Sequence, residues 1–357
     1  MTAMTMPARP EEDNAGLRPV PWRRMVWVTW RQHRFALGGV GVLLGGLALY
    51  LWLTGLQMHH AYAAVAACHP ASSYACQNQT INFDATYGQT AQTVGTLLMA
   101  VPILIGAFAG APVLARELET GTFRYAWTLG VGRQRWTLAK LVPLAVTVTV
   151  ATGLFSLLFS WYQQPFFTDG SSIPLEPSLF GLRGVAYAAW TLAGFAIGAL
   201  AGLLIRRVVP AIAATLAVST GLVFATGLYL RQHYMTPLLG RNLSNPPASA
   251  WVISGWWSKG GTVISQSVMN QIMNTLFGQI MTATVPKNVK SDDIKFYKGP
   301  ANTQVLNYLL HHGYTHWTSY QPGSRFWPFQ WIEGGWLLAL SVLLIAATVW
   351  LVHRRAA

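Results

Sequence analysis

The chain has 357 residues, 52% apolar and only 10% charged, with 24 Lys and Arg against 11 Asp and Glu for a net charge of +13. A soluble globular protein carries about 25% charged residues, so this composition argues against one. It also argues against a nucleic-acid partner, because DNA-binding domains need dense basic surface rather than 16 Trp and long uncharged apolar tracts.

Residues 1–20, with Pro7, Pro10 and Pro19 and the acids Glu11, Glu12 and Asp13, read as a disordered cytoplasmic tail. No cleavable signal peptide is visible, so the first span is itself the targeting signal. Residues 21–34 read as an amphipathic interfacial helix. Arg23, Arg24, Arg31 and Arg34 share one face, with Trp27 among them, and Trp22, Met25, Val26, Val28 and Trp30 share the other. Such a helix lies in the cytoplasmic headgroup layer before the chain turns into the first span. The plainer alternative is a positively charged flank.

Crossing a hydrocarbon core takes about 20 apolar residues. Six stretches qualify, at roughly 35–56, 93–114, 141–161, 184–205, 208–230 and 334–352, and none contains Asp, Glu, Lys, Arg or His. Trp52, Trp161, Tyr162, Tyr229, Trp336 and Trp350 mark their ends as aromatic belts do. The sequence thus predicts an all-α membrane protein of six transmembrane helices. Glycines at four-residue spacing (Gly41 and Gly45; Gly106 and Gly110; Gly194, Gly198 and Gly202) predict close helix packing. Pro102, Pro143 and Pro210 can bend their helices.

Basic residues near span ends stay cytoplasmic. With both termini inside, fifteen Lys and Arg fall in the short inner segments, one in the second outer loop, and eight along residues 231–330. The expected location is the plasma membrane, multi-pass, both termini cytoplasmic. Cys68 and Cys76 share the first outer loop, where an oxidising exterior lets them pair; the alternative is two free thiols.

Residues 231–330 are too long for a simple connection and form an extracytoplasmic domain. Within them Thr262–Thr284 carries Ile264, Val268, Ile272, Leu276 and Ile280 in a four-residue rhythm, too polar to span, and reads as a surface or re-entrant helix. Val305, Leu306, Leu309 and Leu310 predict a second short helix, while Pro300, Pro322 and Pro328 mark loops. Arg325, Trp327, Gln330 and Glu333 form the candidate outer mouth, and residues 331–357 complete the sixth span and a cytoplasmic end.

Absences narrow the chemistry. No Lys follows a Gly, so there is no P-loop; HExxH, CxxC and GxSxG are missing too. The spans hold no ionisable relay of the kind ion-driven transporters use. His311, His312 and His316 could bind a metal, but no metal site is assigned. A pump without its own energy source or ion relay must borrow its free energy, and the expected source is a separate ATPase docked on the cytoplasmic side.

The loop at residues 115–140 is equipped to dock one. Gly121 breaks the emerging helix, Thr122 caps a short crosswise helix running to Leu129, and Gly130 with Gly132 ends it before Arg133. Phe123, Tyr125 and Trp127 can enter a groove, while Glu117, Glu119 and Arg124 offer charge to a partner. The alternative is a loop whose basic residues rest on anionic membrane lipids.

The run Arg116-Glu117-x-Glu119-x-Gly121-Thr122, followed by Gly132-Arg133-x-x-Trp136-x-x-x-Lys140, resembles the loop between the second and third spans of permeases of type-2 ATP-binding-cassette (ABC) exporters. With WRQHR at Trp30–Arg34, the paired cysteines and RFWPFQWIE at Arg325–Glu333, most of the chain resembles the actinobacterial branch of that class. The resemblance implies a homodimer of this permease with two copies of a cytoplasmic ABC ATPase. The leading helix and the coupling helix touch the ATPase, which holds ATP and Mg, and this chain has no cofactor and no catalytic residue. It departs from the simplest members in its outer segment of about 100 residues, where they have two short re-entrant helices. The expected function is outward movement of an amphiphilic drug, antibiotic or lipid. The alternatives are a non-pumping subunit that relays ATPase motion to an extracytoplasmic partner and, weakest, a membrane enzyme.

Overall fold

The computed structural model describes residues 21–70, 73–121, 132–168, 170, 172–242, 247, 249–285 and 294–355. The tail at 1–20 and most of the expected crosswise helix, including Thr122, Phe123 and Arg124, lie outside them. Six helices are long and apolar enough to cross a membrane: Leu37–Ala66, Ala75–Thr120, Arg133–Tyr162, Gly184–Ile205, Val208–His233 and Gly323–Arg354. They are the six expected spans, several of them longer at one or both ends.

The fourth span is the hub. Tyr187, Ala193, Phe195, Ala196 and Ala199 on it are at most 1% exposed. Its glycines lie directly on the second span: a Cβ on Gly194 would come within 2.8 Å of the Pro102 carbonyl oxygen, and one on Gly198 would strike the Gly106 carbonyl oxygen. From the other side, a Cβ on Gly110 would stand 2.6 Å from the Phe195 carbonyl oxygen. Small residues are needed because backbone meets backbone here. The second span turns into a π-helix over Gly106–Gly110 at this contact. Gly41 and Gly45 differ from expectation, since nothing approaches their Cβ positions within 4 Å.

The prolines divide similarly. The second span is interrupted at Met99, just before Pro102, whose missing N–H removes one helical hydrogen bond. Pro143 lies inside the third span, whereas Pro210 occupies the first turn of Val208–Ala225, where no N–H is needed.

The leading stretch does not turn before the first span. Trp22–Ala66 is one continuous helix of 45 residues, about 68 Å long, with no proline to stop it. Its inward stripe is the buried Thr29 with the half-buried Met25 and His33; Trp22, Val26, Val28 and Trp30 of the predicted apolar face are exposed. At the other end it projects beside the extended second span, where Cys68 and Cys76 form a disulfide. Ser73 accepts from the Cys76 amide at 3.3 Å and caps the returning helix.

The segment between the fifth and sixth spans holds more than helices. A four-stranded antiparallel sheet, in the order β1-β4-β2-β3, joins β1 (Leu238–Arg241), β2 (Trp251–Lys259), β3 (Thr262–Ile264) and β4 (Tyr314–Gln321). Residues 262–264, expected to be helical, are a strand because Gly260 and Gly261, both at positive φ, fold a two-residue hairpin behind Lys259. The polar helix then runs over Gln266–Thr284. It sets Met269, Ile272, Leu276 and Ile280 against Trp257, Val305 and Leu309, so it lies on the sheet and on the helix Ile294–His311. Val268, expected on the apolar stripe, is exposed, and Met269 takes its place. Pro300 and Pro328, read as loop markers, are inside helices.

Replacing Gly198 by Val should therefore split the second and fourth spans at a cost of about 1–3 kcal/mol or more. Gly221→Ala, on the fifth span where nothing lies within 4 Å of the Cβ position, should leave stability unchanged. Thermal unfolding of the detergent-solubilised proteins checks the contrast.

Candidate functional site

Two groups of polar side chains organise opposite ends of the bundle. At the end carrying the Arg-rich turns, the helix Ala111–Thr120 stops at Gly121, whose φ of 72° is the left-handed cap that glycine supplies. Glu117 on its last turn pairs with Lys140 on the third span, and the Lys140 ammonium lies 4.4 Å from the Trp136 ring centroid. Lys140 is 4% exposed and Trp136 8%. Glu117, expected to offer charge to a partner, is thus paired within the chain. Glu119 accepts from the Val208 amide at 3.0 Å, so its carboxylate caps the N-terminus of the fifth span. Arg116 and Glu119 are exposed and Arg133 is half-buried.

The leading helix is fastened to the same region. Thr29 donates to the Ala139 carbonyl at 3.1 Å, and Arg135 lies 5.2 Å from the Trp22 ring. Burial pushes the His33 imidazole below its ordinary pKa, partly offset by the Thr29 carbonyl. A lowered His pKa makes protonation favour unfolding, so this site weakens as pH falls through the usual histidine range. Arg23, Arg24, Trp27, Trp30, Arg31 and Arg34 are all exposed.

At the end carrying the sheet, Glu333 has no exposed surface. Arg231, at the end of the fifth span, grips it with both Nε and Nη2, at 3.0 and 2.9 Å. Trp190 Nε1 donates to it at 2.8 Å and the Tyr234 hydroxyl at 3.1 Å. Trp336 donates in turn to Tyr234, and Arg231 Nη1 reaches the Pro177 carbonyl. Burial, and then the adjacent carboxylate, hold the Tyr234 hydroxyl well above its ordinary pKa, so it remains a donor.

The other expected mouth residues separate into distinct roles. Gln330, fully buried, accepts from the Ala186 amide at 2.9 Å and donates to the Phe180 carbonyl at 3.0 Å, tying the sixth span to the start of the fourth. Arg325 binds the Thr236 carbonyl and Gln321 at the edge of the sheet. Trp327 is exposed. Sequence reasoning found Glu333 but missed Arg231, Trp190 and Tyr234. The available signal was one acid and one base at the outer ends of adjacent apolar spans.

Beside this network lies an apolar cavity of about 410 Å³, within the usual range for small-molecule sites. Met99 and Pro102 of the second span, Tyr187 and Trp190 of the fourth, and Phe224 and Leu228 of the fifth line it, with Arg231 at its polar end. The three histidines do not converge on a metal site. His316 packs at a tilt against Trp257, His312 stacks on Tyr308, and the described residues hold no cluster of three metal-binding side chains.

The model of the family described as ABC-2 membrane transporter related matches residues 41–231, more than half of the chain. The chain belongs to that family. The match covers the first five spans and both flanks of the 115–140 loop, and it ends on Arg231. No curated protein and no solved structure matches the chain. The protein is thus a multi-pass membrane subunit of an ABC transporter, a permease that works with a cytoplasmic ATPase carried on a separate subunit.

Removing one partner of the buried pair should cost about 3–5 kcal/mol, because the other charge is left unpaired out of water. Denaturant or thermal unfolding of Arg231→Met and Glu333→Leu should show that loss in each, and the double variant should recover most of it.

Proposed function

We propose that two copies of this permease pair with two cytoplasmic ATPase subunits in the plasma membrane and export an amphiphilic compound, a drug, antibiotic or lipid. In this reading the Arg-rich end and both termini are cytoplasmic and the sheet-bearing domain is outside. The observation that carries the reading is the joining of both flanks of the 115–140 loop to different spans. Glu117 ties the second span to Lys140 on the third, and Glu119 caps the fifth. A displacement of the loop by a closing ATPase dimer then moves three spans together, and no ionisable relay within the spans is needed. Arg116, Arg133 and the exposed arginines of the leading helix supply the docking charge, with Thr122, Phe123 and Arg124 at the contact itself.

The cargo class follows from the 410 Å³ cavity, whose walls suit an apolar body and whose one polar end suits a head group. A homodimer is supported by the first span, where Gly38, Gly41 and Gly45 have no neighbour within 4 Å, leaving room for a second backbone. Nucleotide binding would act as a population shift between cavity-closed and cavity-open arrangements.

One observation favours a relay as the second reading. The outer domain hangs between the fifth and sixth spans, whose ends are locked by Arg231 and Glu333. Motion reaching the fifth span therefore also reaches that domain, where a partner could read it.

Inverted vesicles holding the permease and its ATPase should accumulate a fluorescent amphiphile on ATP addition and should not do so when the ATPase is absent. ATP hydrolysis without accumulation of any of a panel of amphiphiles would favour the relay. Glu119→Ala should leave the ATPase bound, lower stability by about 1 kcal/mol through loss of the cap, and reduce transport per ATP hydrolysed. Unchanged coupling in that variant would remove the proposed path to the fifth span.

A further inference from the structure

Among the residues lining the apolar cavity of about 410 Å³, Arg231 alone carries a charge. Its Nε and Nη2 hold the two oxygens of Glu333, its Nη1 reaches the Pro177 carbonyl, and the Phe180 ring centroid lies 4.5 Å from its Cζ. Glu333 is fully buried and is not part of the cavity wall. The one charge that meets the cavity is therefore cancelled, at bonding distance, by a carboxylate that the cavity does not touch.

The other polar groups of the wall are neutral, and most are already bonded. Tyr187 gives its hydroxyl to the Leu98 carbonyl, Trp190 its N–H to Glu333, and Ser178 its hydroxyl to Glu176. Gln232 gives an N–H to the Leu228 carbonyl, and its carboxamide oxygen is an uncharged acceptor. Each Nη of Arg231 carries a second N–H, so donors remain although the net charge does not. Phe224 and Leu228 of the fifth span are 62% and 71% exposed, which opens this side of the cavity to lipid.

Resting on the reading of this cavity as the cargo site, we propose that it takes molecules whose polar head is uncharged, such as a long-chain alcohol or ester, and that Glu333 sets this selectivity by cancelling Arg231. An alkyl cation would meet the positive end of the pair. An alkyl anion would leave water for a guanidinium already neutralised, with no countercharge to offset its desolvation. A hydroxyl or an ester costs less to bring in and finds Arg231 N–H groups and the Gln232 carboxamide as partners.

The test uses the full chain in nanodiscs with neither ATPase nor ATP. Diazirine-bearing analogues of 1-decanol, decyl sulfate and decyltrimethylammonium, whose head charges do not change with pH, are photolysed and the labelled residues located by mass spectrometry. At equal amounts in the membrane, the alcohol should label Tyr187 and Trp190 saturably, and about tenfold or more strongly than either ion. Those two residues are 1% and 8% exposed, so their labelling reports entry into the cavity. Gly227→Leu adds a side chain to the wall where no atom lies within 4 Å of the Cβ position, and it should abolish the labelling while thermal unfolding shows the protein intact. Glu333→Gln should admit decyl sulfate, because Arg231 then keeps its charge, and the Arg231→Met, Glu333→Leu double variant should return to the alcohol alone. Should Glu333→Gln not fold, the three probes on the wild-type protein decide. Labelling of the wild-type protein by either ion as strong as that by the alcohol, a folded Glu333→Gln variant that still refuses decyl sulfate, or no saturable labelling at all would each overturn the assignment. An alcohol that binds in this way, with no amphiphile transported in ATPase-bearing vesicles, would leave the selectivity standing and remove the export reading.

Discussion

A carboxylate fully withdrawn from water must be neutralised where it stands, and Glu333 is neutralised by groups from three parts of the chain. Arg231 comes from the end of the fifth span, Trp190 from the fourth, and Tyr234 from the connection into the outer domain. Each donor is directional, so the ends of these spans are fixed in angle as well as in distance. Apolar contacts could hold the same helices together but would allow them to slide. A buried ion pair of this kind adds little net stability and fixes the arrangement of the helices it joins.

The two ends of the bundle are built on different physical terms. At the arginine-rich end the contacts are single: one carboxylate on the buried Lys140, another, exposed, on a helix N-terminus, and one buried threonine on a carbonyl. Of these, only the exposed Glu119 cap can be replaced by water at modest cost. At the sheet-bearing end the network is dry and shared among several donors, so breaking it exposes a charge to an apolar core. Between them, spans two and four touch backbone to backbone through Gly106, Gly194 and Gly198, which leaves little slack to absorb a push. On the proposed function, a force entering at the loop would be passed on rather than lost in side-chain repacking.

The sheet-bearing region sets this chain apart from a bare six-helix bundle. Its sheet carries Trp257 and Trp317 on opposite faces, with Trp257 under the two helices and Trp317 bonded to Ser258. The disulfide hairpin stands at the same end. The protein therefore places much of its polar chemistry outside the spans.

Much was legible from the sequence. Hydrophobic length gave the six spans, since no other structure satisfies the backbone of 20 apolar residues in lipid. Local chemistry gave the Gly121 stop, the paired cysteines and the helix near Leu309. The sequence could not reveal the sheet, because its pairings join residues as distant as Leu239 and Ser319, and strands this short have no periodicity of their own. Nor could it assign Glu117 to Lys140 or Glu333 to Arg231. An exposed acid and a buried one look alike in one dimension, and only the packing of distant helices decides which charge has lost its water and must find a partner within the chain.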